Sequence, residues 1–372
     1  MYIWGKISFM PKNCYIHIPF CRSKCKYCSF VSFPKLEMKD EYLKALRKEI
    51  LAHYKGEELK TLYFGGGTPS VLTVEEFLTI IKLFNLAEGC EVTTELNPET
   101  MSFEYLNGLR HAGINRISYG CQTFDDKILK IIGRRHSAEC VKQAVILAKT
   151  AGFENISLDF IYGLPEQRLE EFERDLKTAI ELGVQHISLY GLKIEEGCYF
   201  YEHAPKNLPD EDMQADMYLK AIEVLTNAGF EHYEISNFAK KGYFSRHNLN
   251  YWDNNSYYGF GVAAHGYEDG VRHFNTSSLD EYIENPIKHK FEHTLNEQEK
   301  LEEAIFLGFR ELRGIDISKI NSKYGIDFED KYKNVLKKYE NYGYLERTDV
   351  GYKLSDSGIL VSNVILAEFL EE

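Results

Sequence analysis

Residues 15–30 read YIHIPFCRSKCKYCSF, and the rest of the chain is read outward from them. YIHI (15–18) is short and largely apolar, which predicts a strand buried on both faces. It runs into a loop that places Cys21, Cys25 and Cys28 within eight residues. That strand is the first of a series. Periodicity predicts a helix over 38–54, with Tyr42, Leu46 and Ile50 at four-residue spacing, then a strand TLYF (61–64) and a helix over about 74–87. The strands EVTTEL (91–96), RISYG (116–120), ISLDFIYG (156–163) and HISLY (186–190) follow, with helical sequence near 102–112, at 125–132, 137–151 and 167–182. Six such units predict a parallel sheet with covering helices, as a partial barrel or an open doubly wound sheet. Either architecture gathers ligands beyond the C-terminal ends of the strands. Polar and glycine residues stand at those ends each time. They are the cysteine loop, Gly65-Gly66-Gly67-Thr68-Pro69, Glu95 and Asn97, Gln122, Asp159 with Gly163-Leu164-Pro165, and Tyr190.

After Leu192 the pattern changes. Residues 193–210 read as loop, 211–228 as a helix and HYEIS (232–236) as a strand. From Asn237 to Phe274 the chain is rich in aromatics, Gly and Asn and reads as irregular structure packed on the first domain. From about 296, helix, helical pair, a hairpin over 343–358 and a last helix over about 359–370 resemble a winged helix. The expected division is 1–192, 193–295 and 296–372.

The 372 residues carry 44 Lys+Arg against 57 Asp+Glu, a formal net charge of -13, which argues against broad nucleic-acid binding. A lid or docking role is therefore read for the C-terminal piece. Hydrophobic residues at 44% are ample for a large core. MYIWGKISFMPKN (1–13) lacks the pattern of a secretory signal, and no run of about 18 apolar residues predicts a membrane span. The cytoplasm is the expected compartment, and clustered thiols there suggest a metal site before disulfides.

Three thiolates at the Cys21, Cys25, Cys28 spacing suit one cubic iron–sulfur cluster and leave one iron without a protein ligand. Lys24 and Lys26 would offset the negative charge. The competing reading is a zinc site completed by a histidine such as His17. The glycine run after the second strand permits close backbone approach to a ligand, and it lacks both the dinucleotide pattern and the Lys of a phosphate loop.

CxxxCxxC with GGGTP resembles the radical S-adenosylmethionine (SAM) superfamily. The longer strings YIHIPFCRSKCKYCSF, ELNPE, ISYGCQTF, GRRH, LDFIYGLPEQ and HYEISNFA are similar to the branch containing oxygen-independent coproporphyrinogen III oxidase. The resemblance implies an α/β fold, a partial (β/α)6 radical SAM barrel with an α+β extension and a small C-terminal winged-helix-like domain. It implies a [4Fe-4S] cluster on Cys21, Cys25 and Cys28, with SAM chelating the open iron. It implies SAM contacts from Tyr15, Gly66, Gly67, Thr68, Glu95, Gln122, Arg134 and Asp159. From the residues alone, Arg134 reads as a surface charge at a helix end. The implied chemistry is one-electron cleavage of SAM to methionine and a 5′-deoxyadenosyl radical, with flavodoxin or ferredoxin as a reductant.

Two departures separate this chain from the oxidases of that branch. They carry a further cysteine where this chain has Phe30, and a longer arm before the position of Tyr15. Both departures resemble the heme chaperone (HemW) group, as does HNLNYW (247–252), which matches its HNxxYW signature. The resemblance implies heme as a third cofactor, an acceptor protein such as a respiratory cytochrome, and at most transient contact with a membrane. His247 is the candidate heme ligand, since imidazole is a common axial ligand. Tyr251, Trp252, Tyr257, Tyr258 and Phe260 are a candidate apolar wall, His265 is the rival ligand, and Arg246 or Arg272 could meet propionates. The alternative is a packed aromatic loop in which His247 only hydrogen-bonds. Three functions stay open: a heme chaperone, a catalytic radical SAM enzyme acting on a tetrapyrrole, and a non-catalytic metalloprotein. Cys14, Cys90, Cys121, Cys140 and Cys198 are read as packing residues.

Overall fold

The computed structural model describes residues 10–370; the reading of the first nine residues lies outside it. Six parallel strands form the centre: β1 (Asn13–Ile18), β2 (Glu58–Gly66), β3 (Asn85–Leu96), β4 (Arg116–Gln122), β5 (Ile156–Tyr162) and β6 (His186–Gly191). They lie side by side in sequence order. Between them run α1 (Lys39–His53), α2 (Val74–Ile81), α3 (Phe103–His111), α4 (Asp126–Ile131), α5 (Ala138–Thr150) and α6 (Leu169–Glu181). The helices start where side chains satisfy their free N–H groups. Thr73 and Glu76 form a capping box on α2, and Ser102, Asp125 and Ser137 cap α3, α4 and α5.

Two expectations need correction. The helix expected to reach residue 87 ends at Ile81, and the next residues turn into β3, which starts at Asn85. Glu58 and Leu59 of β2 pair with Asn85 and Leu86, so a sheet partner distant in sequence overrides the local periodicity. The segment from Asn237 to Phe274 is not irregular, because its strands extend the sheet. Beyond β6 lie β8 (Asn237–Ala239) and β7 (Glu231–Glu234), antiparallel. At the other edge β9 (Tyr258–Phe260) pairs in parallel with β1. A three-stranded meander follows: β10 (His265–Glu268), β11 (Val271–Phe274) and β12 (Phe291–Thr294). The region thus protects both edges of the central sheet, which would otherwise expose unpaired backbone groups.

One contiguous apolar core includes β1–β6, α1 and Tyr258, Phe260 and Tyr282. A second core gathers residues from Leu301 to Phe369 with Tyr218. This C-terminal part carries helices Glu297–Gly308, Ile317–Tyr324 and Lys333–Asn341 and a small antiparallel sheet of β13 (Ile315–Asp316), β14 (Leu345–Arg347) and β15 (Gly351–Leu354). The whole is a mixed α/β fold with a small C-terminal helical and antiparallel-sheet region. No helix among the described residues is long and apolar enough to cross a membrane.

Candidate functional site

The C-terminal ends of β1–β6 converge on one cavity of about 520 Å³, in the size range of a small-molecule site. Cys21, Cys25 and Cys28 line its mouth, with Phe30, which is 68% exposed, beside them. The loop that carries them is tied down by its backbone. Cys21 N–H donates to Phe33 O (3.1 Å), Lys26 N–H to Ile132 O (3.0 Å) and Phe200 N–H to Lys26 O (2.9 Å).

The glycine run packs directly against this loop. Gly67 N–H donates to Ile18 O (2.9 Å) and Thr68 N–H to Phe20 O (2.8 Å). A Cβ on Gly67 would stand 2.8 Å from Phe20 O, and one on Gly66, at φ +109°, 2.6 Å from the His17 ring. Only residues without a Cβ let the two backbones meet this closely. Thr68 Oγ1 reaches Cys21 Sγ at 3.2 Å.

The deeper wall is polar and charged. Glu95 accepts from the Tyr63 hydroxyl at 2.9 Å, and burial, with the Asp159 charge second, pushes its carboxyl up to about 7. Asp159 accepts from Ser118 (2.8 Å) and Ser157 (3.4 Å), and burial raises it too. Gln122 ends β4 at φ 68°, where the pairing with β5 shifts register, a strained geometry of the kind that gathers at ligand sites. Arg134 is drawn in rather than left on the surface. It donates to Gly120 O (2.6 Å) and approaches Cys25 Sγ at 3.6 Å, over a residue whose missing Cβ leaves the room.

Of the twelve residues expected as cluster ligands, SAM contacts or, as His247, the heme ligand, ten line this cavity: the three cysteines, Gly66, Gly67, Thr68, Glu95, Gln122, Arg134 and Asp159. Tyr15 lies behind it. Its hydroxyl meets His17 Nδ1 at 3.1 Å, its ring stacks on Tyr63, and Tyr63 takes the wall position. His247 also lies behind the wall, 1% exposed. HNLNYW is a helix, Arg246–Trp252, not a loop. Both imidazole nitrogens are engaged, Nδ1 with Thr61 Oγ1 (2.7 Å) and Nε2 with Tyr251 OH (2.8 Å), and the ring stacks on Tyr63 at 5.0 Å. Burial, then the Arg116 charge, holds it neutral by lowering its pKa to about 3. Of the aromatics expected as a wall, Tyr258 and Phe260 are core, 0% and 2% exposed on the strand beside β1, whereas Tyr251, Trp252 and Tyr257 are half-buried. His265 is exposed, with Phe274 at 5.1 Å from ring to ring. Arg272 pairs with Glu303 (2.7 Å), and Arg246 leans on Glu91.

Three thiols at the mouth of one cavity are the kind of donor set that a cubic iron–sulfur cluster takes. Among the described residues no three His, Cys, Asp or Glu side chains stand close enough to hold one metal ion. The histidine offered as a fourth zinc ligand is committed elsewhere, His17 Nε2 to Val31 O at 2.9 Å and Nδ1 to Tyr15. Burial raises the Cys21 thiol, and the Cys28 thiol to about 11, so a cationic centre is what would deprotonate them. All eight cysteines are free, and Cys14, Cys90, Cys121 and Cys198 are buried, as packing residues would be.

Sequence reasoning missed Arg116, Ser118, Ser188 and Asn248, which line the same cavity. Strand alternation was the available signal for two of them: Arg116, Ser118 and Gly120 share one face of β4.

Residues 15–179 match the Radical SAM superfamily, and residues 295–361 match the HemN C-terminal domain. The heme chaperone HemW of Bacillus subtilis is 37% identical over 97% of this chain and 100% of its own. That of Escherichia coli is 35% identical over 98% of this chain and all of its own. Among solved structures, coproporphyrinogen III oxidase (HemN) from Escherichia coli superposes with a TM-score of 0.85 over 97% of this chain and 90% of that one, at 23% identity, a likeness of fold. The chain belongs to the radical SAM superfamily and, within it, to the HemN/HemW-type family.

Proposed function

We propose that this protein is a heme chaperone that holds a [4Fe-4S] cluster on Cys21, Cys25 and Cys28 and binds exchangeable SAM beside it. The observation that carries the reading is end-to-end likeness to heme chaperones, 37% identity over 97% of the chain. Phe30, where the oxidases carry a further cysteine, supports it. A bound cluster would supply one electron to the sulfonium of SAM. Around it, Gly66, Gly67 and Thr68 would flank the methionine moiety, while Glu95, Gln122, Arg134 and Asp159 would take its polar groups.

His265 is the imidazole that this arrangement leaves open to heme iron, with Phe274 beside it and the 46% exposed Phe291 stacked on Phe274. Ligation by His247 would first require its bond to Tyr251 to open. In this reading residues 1–192 hold cluster and SAM, and 193–295 hold heme. Residues 296–372 form a winged-helix-like domain that serves as lid or docking piece. A cytoplasmic setting would keep the cysteines reduced for cluster assembly. The acceptor would be a protein such as a respiratory cytochrome, met with at most transient membrane contact. Flavodoxin or ferredoxin would serve as reductant, and no nucleic acid is involved.

One observation favours a catalytic alternative: beyond the residues assigned to SAM, the cavity is also lined by Arg116, Ser118, Ser188 and Asn248. Anaerobic reconstitution, reduction with SAM, and incubation with heme or coproporphyrinogen III separates the two. Heme transfer to an apo-acceptor without tetrapyrrole change is expected; decarboxylated products would overturn the chaperone reading.

A further inference from the structure

Arg116 opens β4 at the floor of the cavity and is 2% exposed. Among the described residues its guanidinium forms no ion pair, and its fully shielded Nε has no hydrogen-bond partner. Two acids that line the same cavity are occupied otherwise: Glu95 accepts from Tyr63, and Asp159 accepts from Ser118 and Ser157. Their carboxyls still feel the Arg116 charge, which places all three in one electrostatic neighbourhood. Asn248, on the helix Arg246–Trp252, reaches the same floor, and its side-chain amide has no bonded partner among the described residues. A buried cation without a contacting anion is costly, and a ligand that supplies the anion removes that cost.

We infer that Arg116 and Asn248 form a carboxylate-binding subsite at the floor of the barrel. The planar guanidinium suits a carboxylate accepting two parallel bonds, and the Asn248 amide adds a third donor. Glu95 and Asp159 close by disfavour a doubly charged phosphate. Such a carboxylate could belong to a SAM-type ligand whose amino-acid end is not on the open iron, or to a propionate arm of a tetrapyrrole.

The reconstituted full chain is titrated calorimetrically with two matched pairs: SAM against 5′-methylthioadenosine, and heme against heme dimethyl ester. In one pair the preference for the carboxylate-bearing member falls about 10- to 100-fold in Arg116→Gln, the loss of a charge-assisted hydrogen bond. The other pair is unchanged, and the responding pair names the source. Arg116→Lys keeps part of the preference. In ligand-free protein Arg116→Gln melts close to the parent, because the charge it removes has no contacting partner. Preference unaltered in both pairs, or a ligand-free Arg116→Gln that melts well below the parent, overturns the subsite. The subsite rests on this cavity being a ligand pocket. Failure of that reading is separately visible, as a wild-type protein that binds neither SAM nor heme.

Discussion

His247→Ala distinguishes a core imidazole from a heme ligand. The ring stacks on Tyr63 and bonds to Thr61 and Tyr251 while 1% exposed. Its removal leaves a ring-sized void, which typically costs about 2–4 kcal/mol when the walls do not collapse. Thr61 keeps Asn13 as a partner (2.9 Å), but the Tyr251 hydroxyl is orphaned, adding about 1 kcal/mol or more. The expected loss is about 3–5 kcal/mol, or roughly 6–10 °C in Tm at about 2 °C per kcal/mol for a large chain. The assay is a thermal melt of reconstituted, heme-free protein, paired with an anaerobic heme titration read in the Soret band. Tyr251→Phe is the companion variant: it frees His247 Nε2 and costs only about 1 kcal/mol. A core imidazole gives a lower Tm in His247→Ala and unchanged heme affinity in Tyr251→Phe. A His247→Ala protein that melts like the parent yet loses heme, with tighter heme binding in Tyr251→Phe, would overturn the core assignment and return His247 to the heme site.

Four further outcomes are expected. His265→Ala weakens heme binding and changes its spectrum without lowering Tm, because the side chain is exposed. Any one of Cys21→Ala, Cys25→Ala or Cys28→Ala abolishes the reconstituted iron–sulfur absorption, whereas Cys121→Ala, which empties a buried packing site, leaves it intact. Arg134→Gln removes a donor 3.6 Å from Cys25 Sγ, so the cluster's midpoint potential in a redox titration moves negative. Glu49 is held near pKa 7 by burial while it accepts from Gly261, Asn275 and Tyr282. Its folded pKa lies above its unfolded value near 4.5, so the native state holds the extra proton. The contribution is therefore full below about pH 4.5 and is lost, about 3 kcal/mol in all, as pH rises to about 7. Urea melts of Glu49→Gln across that window should show a flatter profile than the parent; identical profiles would remove Glu49 as the cause.

Family membership and the cavity's rim were legible in the sequence because they rest on local spacing. Three cysteines in one loop and a glycine run after one strand are contiguous signals. Glu95, Gln122 and Asp159 could be placed because a parallel sheet sends the ends of its strands to one side, whatever the loops do. Arg134 was found only through the resemblance; its route past Gly120 to Cys25 crosses strands far apart in sequence. Only the tertiary structure decided that HNLNYW is a helix whose histidine is enclosed, that the aromatic segment completes both sheet edges, and that Arg116 stands unpaired beneath Glu95 and Asp159. The physical reason is common to all three. Burial and partnership are set by segments that meet only on folding: Thr61 and Tyr63 of β2 enclose His247, β1 recruits β9, and no neighbour in sequence reports whether a charge inside a barrel has found its counter-ion.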